Sequence, residues 1–286
     1  MRCLVTGVAG FIGSHLADEL ITQGHEVIGI DNFMTGDIAN VDTHKVQLVG
    51  CDIRDRKFLK EVFEIKKPEV VFHLAANCRT LSSVEDPIMD MENNIQGTLN
   101  MLIAARDMGV KRFISASSCI TYHMFTPYAV SKKCGELYCD VFTKIYNLPC
   151  VSLRFSNVYG SLRQSEKGKN VNALASLHKS KRETGRIWIT GSGEQKRDWS
   201  HVFDICRGMI LAAKSNATGI YDLCTGKSVD MITIARFFNC PIDFVPERVG
   251  DAMDLSKDQD PKPAERDFGY KYSIDLNKES LKPYLE

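Results

Sequence analysis

A tyrosine and a lysine four residues apart are the pair in this sequence most able to do chemistry. Tyr128 and Lys132 lie in a segment, 128–146, whose pattern predicts a helix, so both side chains would project from one face. An ammonium group beside a phenol favours the phenolate and lowers the pKa of the tyrosine. A phenol tuned in this way is a competent general base. Taken alone, however, the pair is more typical of an ordinary amphipathic helix.

A run of serines precedes this pair in the chain. Ser115, Ser117 and Ser118 stand at the end of a segment that predicts a β-strand. A hydroxyl group at the end of a strand can share a hydrogen bond with a substrate oxygen and orient it. The serines therefore supply a candidate partner for the tyrosine.

A glycine loop near the start of the chain indicates a nucleotide site. Gly7, Gly10 and Gly13 directly follow the first predicted strand and open a helix. Glycine lets the backbone approach a pyrophosphate closely, and the helix N-terminus offers free N–H groups to it. The second predicted strand ends at Asp31, whose carboxylate can accept both ribose hydroxyls and would repel a 2′-phosphate. The context favours NAD over NADP and over a simple turn with a surface aspartate.

Strands and helices must alternate to bring these residues together. Short β-rich runs predict strands at 2–6, 26–30, 46–49, 70–74, 112–117 and 151–155, and amphipathic segments predict helices at 14–23, 56–66, 91–108 and 128–146. This order favours a Rossmann-like, doubly wound parallel α/β sheet. After Gly160 the loops lengthen. We therefore expect an NAD-binding domain at 1–160 and a smaller, irregular α/β lobe at 161–286 that mainly binds substrate and returns some segments to the sheet.

Composition excludes several other classes of protein. Among 286 residues, Lys+Arg and Asp+Glu both count 36, so no charge excess points to nucleic acid or to a membrane surface. No apolar run approaches the ~20 residues that cross a bilayer. The ten cysteines are scattered without a Cys-x-x-Cys pair, which favours neither a disulfide framework nor a zinc site. We expect no metal and a reduced, cytoplasmic location.

The spacing Gly-x-x-Gly-x-x-Gly resembles that of the short-chain dehydrogenase/reductase superfamily. Further motifs resemble its extended branch, the NAD-dependent nucleotide-sugar epimerase/dehydratase family, and are most similar to its UDP-glucose/UDP-galactose 4-epimerase-like members. These motifs lie at 31–33, 51–55, 73–76, 93–98, 153–160, 191–199 with His201-Val202, and 248–251. They occur in the family's order over nearly the whole chain.

The resemblance implies a role for each of these residues. Tyr128 would be the base, Lys132 would fix the nicotinamide ribose and tune Tyr128, and Ser118 would be the hydroxyl partner. Ser118 is chosen over Ser117 because it stands four residues before Tyr122, as in the family's pattern. The implied NAD-binding residues are Gly7, Gly10, Phe11, Ile12, Gly13, Asp31, Asn32, Asp52, Ile53, Leu74, Ala75, Ala76, Asn94, Tyr128 and Lys132. The implied substrate-binding residues are Ser118, Asn157, Arg197, Arg248 and Asp251.

Two positions after Ser118 discriminate between activities within the family. The resemblance implies that dehydratases place carboxylates there. It also implies that decarboxylases keep a glutamate two residues before the tyrosine that corresponds to Tyr122. This chain has Cys119 and Ile120, which cannot act as carboxylate acids or bases. The interpretation that remains is epimerisation at sugar C4, in which Tyr128 takes the 4-hydroxyl proton while hydride passes to NAD and then returns to the opposite face.

The chain also departs from the family. Only residues 123–127 separate Tyr122 from the catalytic tyrosine, where the family has a much longer segment that covers the mouth of the site. The sequence 78–80, Cys-Arg-Thr, is unusual for the loop after the Ala pair. Leu255 is a candidate for the residue that limits bulk at sugar C2.

Several alternatives stay open at this stage. The chain could be a nucleotide-sugar reductase, dehydrogenase or dehydratase of the same family, or an NAD-binding protein with weakened catalysis. A UDP-sugar is the favoured substrate, but neither the sugar nor the nucleobase is decided. Helices 91–108 and 128–146 carry apolar side chains on more than one face, and in the family they pair across a homodimer.

Overall fold

The computed structural model describes residues 1–164, 172–247 and 253–286. Its strands are β1 (Arg2–Thr6), β2 (Glu26–Asp31), β3 (Val46–Gly50), β4 (Val70–His73), β5 (Arg112–Ser118), β6 (Cys150–Phe155), β7 (Asn157–Tyr159), β8 (Ile187–Thr190), β9 (Lys196–His201), β10 (Gly219–Leu223), β11 (Ser228–Asp230) and β12 (Ile242–Val245). Its α-helices are α1 (Phe11–Thr22), α2 (Arg56–Lys66), α3 (Thr80–Glu85), α4 (Pro87–Met91), α5 (Gly97–Asp107), α6 (Pro127–Tyr146), α7 (Ala173–Thr184), α8 (Val202–Lys214), α9 (Met231–Arg236), α10 (Lys262–Phe268) and α11 (Lys282–Leu285). A π-helical turn spans Glu92–Gln96, and 3₁₀ turns span Ile38–Asn40 and Cys119–Tyr122.

A parallel sheet forms the centre of the molecule, with the strand order β3-β2-β1-β4-β5-β6-β10. Helices α1 and α8 pack together on one side of the sheet, and α2, α5 and α6 pack on the other. This arrangement confirms the predicted doubly wound, Rossmann-like fold. The strand order reverses between β1 and β4, and such a switch point opens a crevice at the carboxyl ends of the strands.

The apolar cores explain why the strands read as nearly continuous hydrophobic runs. Helices cover both faces of the sheet, so side chains on both sides of each strand are buried. Leu16 and Met209 belong to the core on one side, and Phe63 and Phe142 to the core on the other. The sheet and its two helical layers thus form a rigid base for the residues that follow the strands.

The C-terminal part of the chain is smaller and less regular. It contains a three-stranded sheet, β11-β9-β7, and a parallel pair, β12-β8, around a core that includes Trp199 and Tyr284. Helix α8 and strand β10 return to the central sheet. The chain therefore crosses between the two parts more than once, which lets both contribute to one cleft.

The helix predicted over 91–108 is longer and less uniform than expected. It begins at Pro87, where the Asp86 side chain accepts from the backbone N–H of Met89 at 2.9 Å. Aspartate at the N-cap followed by proline at the first position is a standard helix start. The helix then passes through the π turn before α5 begins at Gly97.

Candidate active site

One large cleft, of about 970 Å³, opens at the carboxyl ends of the central strands. Its wall includes residues that follow β1, β2, β4, β5 and β6, together with residues of the C-terminal part. A volume near the upper end of ordinary ligand pockets suits a large ligand or two ligands side by side.

The glycine loop presents backbone atoms to one end of the cleft. Gly7 has φ +69°, and a Cβ atom on Gly13 would lie 2.1 Å from the Gly7 carbonyl oxygen, so neither position tolerates a side chain. Phe11 and Ile12 also line the cleft, and no side chain caps the N-terminus of α1. The first N–H groups of the helix therefore remain available to an anion, which fits the diphosphate of a dinucleotide.

Asp31 is buried at the end of β2, beside this loop. Its Oδ2 accepts from the Ala9 N–H at 2.9 Å, and its Oδ1 accepts from the Phe33 N–H at 2.8 Å. Each carboxylate oxygen keeps further acceptor capacity. The carboxylate is thus fixed in orientation and suited to bind ribose hydroxyls.

Asp52 is engaged within the protein. Its carboxylate accepts from Asn32 Nδ2 at 3.0 Å and from two nitrogens of Arg54 at 3.0 and 2.8 Å. These hydrogen bonds, those of Arg54 first, hold the pKa of Asp52 well below its usual range. Asn32 and Ile53 line the cleft, whereas Asp52, which was also predicted to bind NAD, is not among the lining residues.

The loop after β4 is held against β1 by a buried hydrogen-bond chain. Thr6 Oγ1 accepts from the N–H groups of Leu74 at 3.1 Å and Ala75 at 3.0 Å. It also bonds His73 Nδ1 at 2.9 Å. Leu74, Ala75 and Ala76 line the cleft, as predicted for residues along the cofactor path.

Asn94 lies behind the wall of the cleft. Its Oδ1 accepts from the Asn77 N–H at 2.8 Å, and its Nδ2 donates to Asp90 at 2.9 Å and to Ser131 at 3.1 Å. The residue that lines the cleft from this π turn is Asn93. Asn94 therefore holds the β4 loop against α6, a placement that its predicted contact with the cofactor did not anticipate.

Tyr128 and Lys132 line the cleft from the first turns of α6. Burial raises the pKa of the phenol, while a hydrogen bond with Ser118 opposes that effect. The expected lowering of the phenol pKa by Lys132 is therefore wrong for this structure. Lys132 Nζ instead donates to the Ala116 carbonyl at 2.9 Å, and burial lowers its own pKa to about 8.

The two serines at the end of β5 have different surroundings. Ser117 Oγ donates to the buried carboxylate of Glu136 at 2.7 Å. Ser118 is half-buried, and its Oγ accepts from the Ile120 N–H at 3.4 Å; both serines line the cleft. This division supports the choice of Ser118 as the hydroxyl partner.

A buried ion pair below these residues was missed by the sequence analysis. Arg154 donates to Glu136 through Nε at 2.7 Å and Nη2 at 2.8 Å. Thr121 Oγ1 reaches the same carboxylate at 3.2 Å, and the Arg154 guanidinium lies 4.4 Å from the centre of the Tyr122 ring. The pair links α6, β6 and the end of β5. Its signal was the glutamate one turn after Lys132, but a glutamate at that spacing is also typical of a solvated helix face.

The C-terminal part supplies the far wall. Asn157, Arg197 and Leu255 line the cleft there, and Arg197 Nη1 also donates to the Lys196 carbonyl at 2.7 Å. Arg163, which the sequence analysis did not single out, lines the same wall and pairs with Asp18 at 2.7 Å. The predicted substrate residues Arg248 and Asp251 lie outside the residues that the structure describes.

The short 123–127 segment does not cover the cleft. None of its residues lines the cavity, and Met124 and Phe125 are exposed. Thr126 instead caps α6 by accepting from the Ala129 N–H at 3.2 Å, with Pro127 at the first helical position. The segment therefore starts α6 and does not line the cleft.

The described residues form neither a metal-binding cluster nor a membrane-spanning helix. Within 1–164, 172–247 and 253–286, no group of three or more His, Cys, Asp or Glu side chains could hold a metal ion. In the same ranges, no helix has the length and apolar character needed to cross a membrane.

Comparison with known proteins agrees with this geometry. Residues 3–224 match the model of the family described as the NAD dependent epimerase/dehydratase family. The chain is 34% identical, over 301 aligned positions, to a putative UDP-glucose 4-epimerase of Methanocaldococcus jannaschii, which covers 99% of this chain and 93% of that relative.

Solved structures are similar over the whole chain. The UDP-glucose 4-epimerase of Thermotoga maritima, solved with UDP-glucose, has a TM-score of 0.93 and 30% identity and covers 100% of this chain and 97% of that one. The UDP-glucose 4-epimerase of Thermus thermophilus, solved with NAD, has a TM-score of 0.90 and 29% identity and covers 100% and 98%. The resemblance stated from the sequence motifs is confirmed.

Proposed function

The chain belongs to the NAD-dependent epimerase/dehydratase family, and we propose that it is a nucleotide-sugar 4-epimerase that acts on a UDP-sugar. It is an enzyme with NAD as its cofactor. The glycine loop, the uncapped helix and the buried carboxylate at the end of β2 all fit a dinucleotide.

In this reaction three side chains have different roles. Tyr128 accepts the proton of the 4-hydroxyl group, and Ser118 hydrogen-bonds to the same oxygen while it becomes a carbonyl. Lys132, a short way along the helix, holds hydroxyls of the nicotinamide ribose. NAD, when bound, supplies the acceptor and donor of hydride at sugar C4. The wide cleft leaves the 4-keto sugar room to turn over before Tyr128 returns the proton.

The observation that carries this proposal is the combination of residues around Ser118. Tyr128, Lys132 and Ser118 line one end of the cleft, and the next two residues of that wall are Cys119 and Ile120. Dehydration requires an additional acid and base beyond the hydride-transfer groups. A thiol whose pKa burial raises to about 12 and an isoleucine do not supply them.

Product analysis tests the proposal. The purified protein is incubated with UDP-, dTDP- and GDP-hexoses, with and without added NAD, and the products are identified by NMR. We expect the C4 epimer of a UDP-sugar with no net change in NADH absorbance. Stoichiometric NADH with an oxidised sugar would indicate a dehydrogenase, and NAD binding without any product would indicate a binding protein.

The rest of the organisation follows from the same proposal. Residues 1–160 would mainly bind NAD, and residues 161–286 would mainly bind the nucleotide sugar, through Arg197, Arg248 and Asp251 together with Asn157 of the first part. The ten cysteines are free, which supports a reducing, cytoplasmic location. Exposed Leu137, Val141 and Ile145 lie at helical spacing on α6, which supports a homodimer through this helix.

A further inference from the structure

The loop after β4 carries an arginine that the reaction described above does not use. Arg79 lines the cleft, is half-buried and immediately precedes α3. Among the described residues its guanidinium has no hydrogen-bond or ion-pair partner. Arg163 and Arg197, on the far wall, both have partners within the protein. A half-buried charge without a partner is costly unless a ligand compensates it.

Arg79 lies at the catalytic end of the cleft. Its neighbour Cys78 lines the same cleft as Tyr128 and Lys132. Four residues after Arg79, Ser83 Oγ accepts from the Tyr128 N–H at 3.1 Å. The segment that carries Arg79 is therefore attached to the start of the catalytic helix, next to the space for the sugar.

The charges that line the cleft are unevenly distributed. Among the described residues, its carboxylates are Asp31 and Asp37, both near the end of β2 where the adenosine is predicted. The wall around Tyr128 contains the cations Lys132 and Arg79 and no described carboxylate. This end of the cleft therefore presents positive charge to whatever sugar it receives.

The phosphates of the two ligands have other candidate partners. The cofactor diphosphate has the glycine loop and the N-terminus of α1. The substrate diphosphate has Arg197 on the far wall, as the sequence analysis predicted. Of the two diphosphates and the substrate sugar, the sugar is left as the partner of Arg79.

We propose that Arg79 binds a carboxylate carried by the hexose, and that the preferred substrate class is a nucleotide-activated hexuronic acid. The planar guanidinium matches a carboxylate with two parallel hydrogen bonds. A neutral hexose leaves this cation without a partner. The cleft, of about 970 Å³, leaves room for the added group. This inference rests on the proposed function and concerns only which sugar the site selects.

The test compares UDP-glucuronate with UDP-glucose on the NAD-loaded protein. Steady-state kcat/KM and calorimetric affinity are measured for the wild type, R79Q and R79K, with R56Q as the matched control, because Arg56 is exposed on α2 and outside the cleft. We expect the wild type to prefer the uronate by about tenfold or more, the size of a charge-assisted hydrogen bond. R79Q should lose that preference and change the UDP-glucose values less than about threefold, while R79K keeps part of it and R56Q keeps all.

Three results would overturn the proposal: equal affinity of the wild type for the two sugars, equal weakening of both by R79Q, or weakening of NAD binding in place of uronate binding. The two proposals also fail separately. Uronate binding that depends on Arg79 but gives no epimer would leave this inference standing and remove the proposed function. Epimerisation with a preference for UDP-glucose would support the proposed function and overturn this inference.

Discussion

Tyr128 and Lys132 are adjacent on one helix but differ in electrostatic environment. Burial raises the pKa of the phenol and lowers that of the ammonium to about 8, so burial alone moves both groups towards their neutral forms. The hydroxyl of Ser118 stabilises the ionised phenol, and the Ala116 carbonyl holds the ammonium in place. Positive charge brought by a bound cofactor would oppose the effect of burial on the phenol pKa, so we expect proton transfer to require bound NAD.

Replacement of the phenol should separate chemistry from cofactor binding. Tyr128→Phe removes the proton acceptor, and we expect kcat to fall by about 10²–10⁴-fold or to become undetectable. NAD affinity should stay close to that of the wild type, because the glycine loop and Asp31 are untouched. Product formation and calorimetry measure the two effects.

Tyr138→Phe is the matched control, because Tyr138 is on the same helix but outside the cleft. It should keep full activity. Equal turnover by Tyr128→Phe and the wild type would refute the assignment of the base.

At the scale of elements, the site depends on how α6 is fixed to β5 and β6. Glu136 is 1% exposed, and its pairing with Arg154 joins α6 to the neighbouring strand β6. Burial alone would raise the pKa of this carboxyl, but hydrogen bonds from Arg154, Ser117 and Lys133 outweigh it and lower the pKa. The ion pair therefore contributes to stability while the carboxyl is charged.

Glu136→Gln should destabilise the protein by about 3 kcal/mol, because it leaves the buried Arg154 without a counter-charge. The folded-state pKa of Glu136 is below its unfolded value, so this contribution is complete well above pH ~4.3 and is lost as the pH falls. The difference between variant and wild type should accordingly be largest near neutrality and shrink in acid. Urea unfolding at several pH values measures it.

Glu64→Gln serves as the control, since Glu64 forms an exposed pair with Lys60 on α2. A surface pair contributes about 0–1 kcal/mol, so this variant should unfold almost like the wild type. A Glu136→Gln protein as stable as the wild type at pH 7 would contradict the account of the ion pair.

Local patterns in the sequence predicted the strands closely and the long-range contacts poorly. The first strand was predicted over 2–6 and found there, because a buried run ends at a glycine that must turn. The π turn at Glu92–Gln96 has no such local signal, and it places Asn93 in the lining of the cleft and Asn94, the predicted cofactor residue, behind it. Likewise, the direction of the Lys132 ammonium depends on the Ala116 carbonyl across the helix–strand interface.

At the scale of the whole molecule, the two parts of the chain meet at a cleft that no single segment forms. Helix α8 and strand β10 return to the central sheet after the chain has built its C-terminal part, so the far wall is anchored to the same base as Tyr128. Helix α6 also carries exposed apolar side chains, those of Leu137, Val141 and Ile145, outside the cleft. One helix would thus serve both catalysis and association.

The proposed homodimer can be tested through these exposed side chains of α6. Leu137 is 56% and Val141 is 44% exposed, and the double variant Leu137→Asp/Val141→Asp should dissociate the dimer because it places four carboxylates in one interface. Analytical ultracentrifugation measures the mass. Ile65→Asp, at an exposed position on α2, should leave the dimer intact. A monomeric wild type, or a double variant that stays dimeric, would contradict the assignment.

The fate of the hydrogen on sugar C4 tests the central claim most directly. A UDP-hexose substrate that carries deuterium at C4 is incubated with the NAD-loaded enzyme, and the product is examined by NMR and mass spectrometry. If Tyr128 moves only the hydroxyl proton while the C4 hydrogen leaves and returns as hydride, the epimer of the labelled substrate retains its deuterium at C4 in H₂O. An unlabelled substrate then gains no deuterium at C4 in D₂O. Loss of the label to solvent would contradict the mechanism.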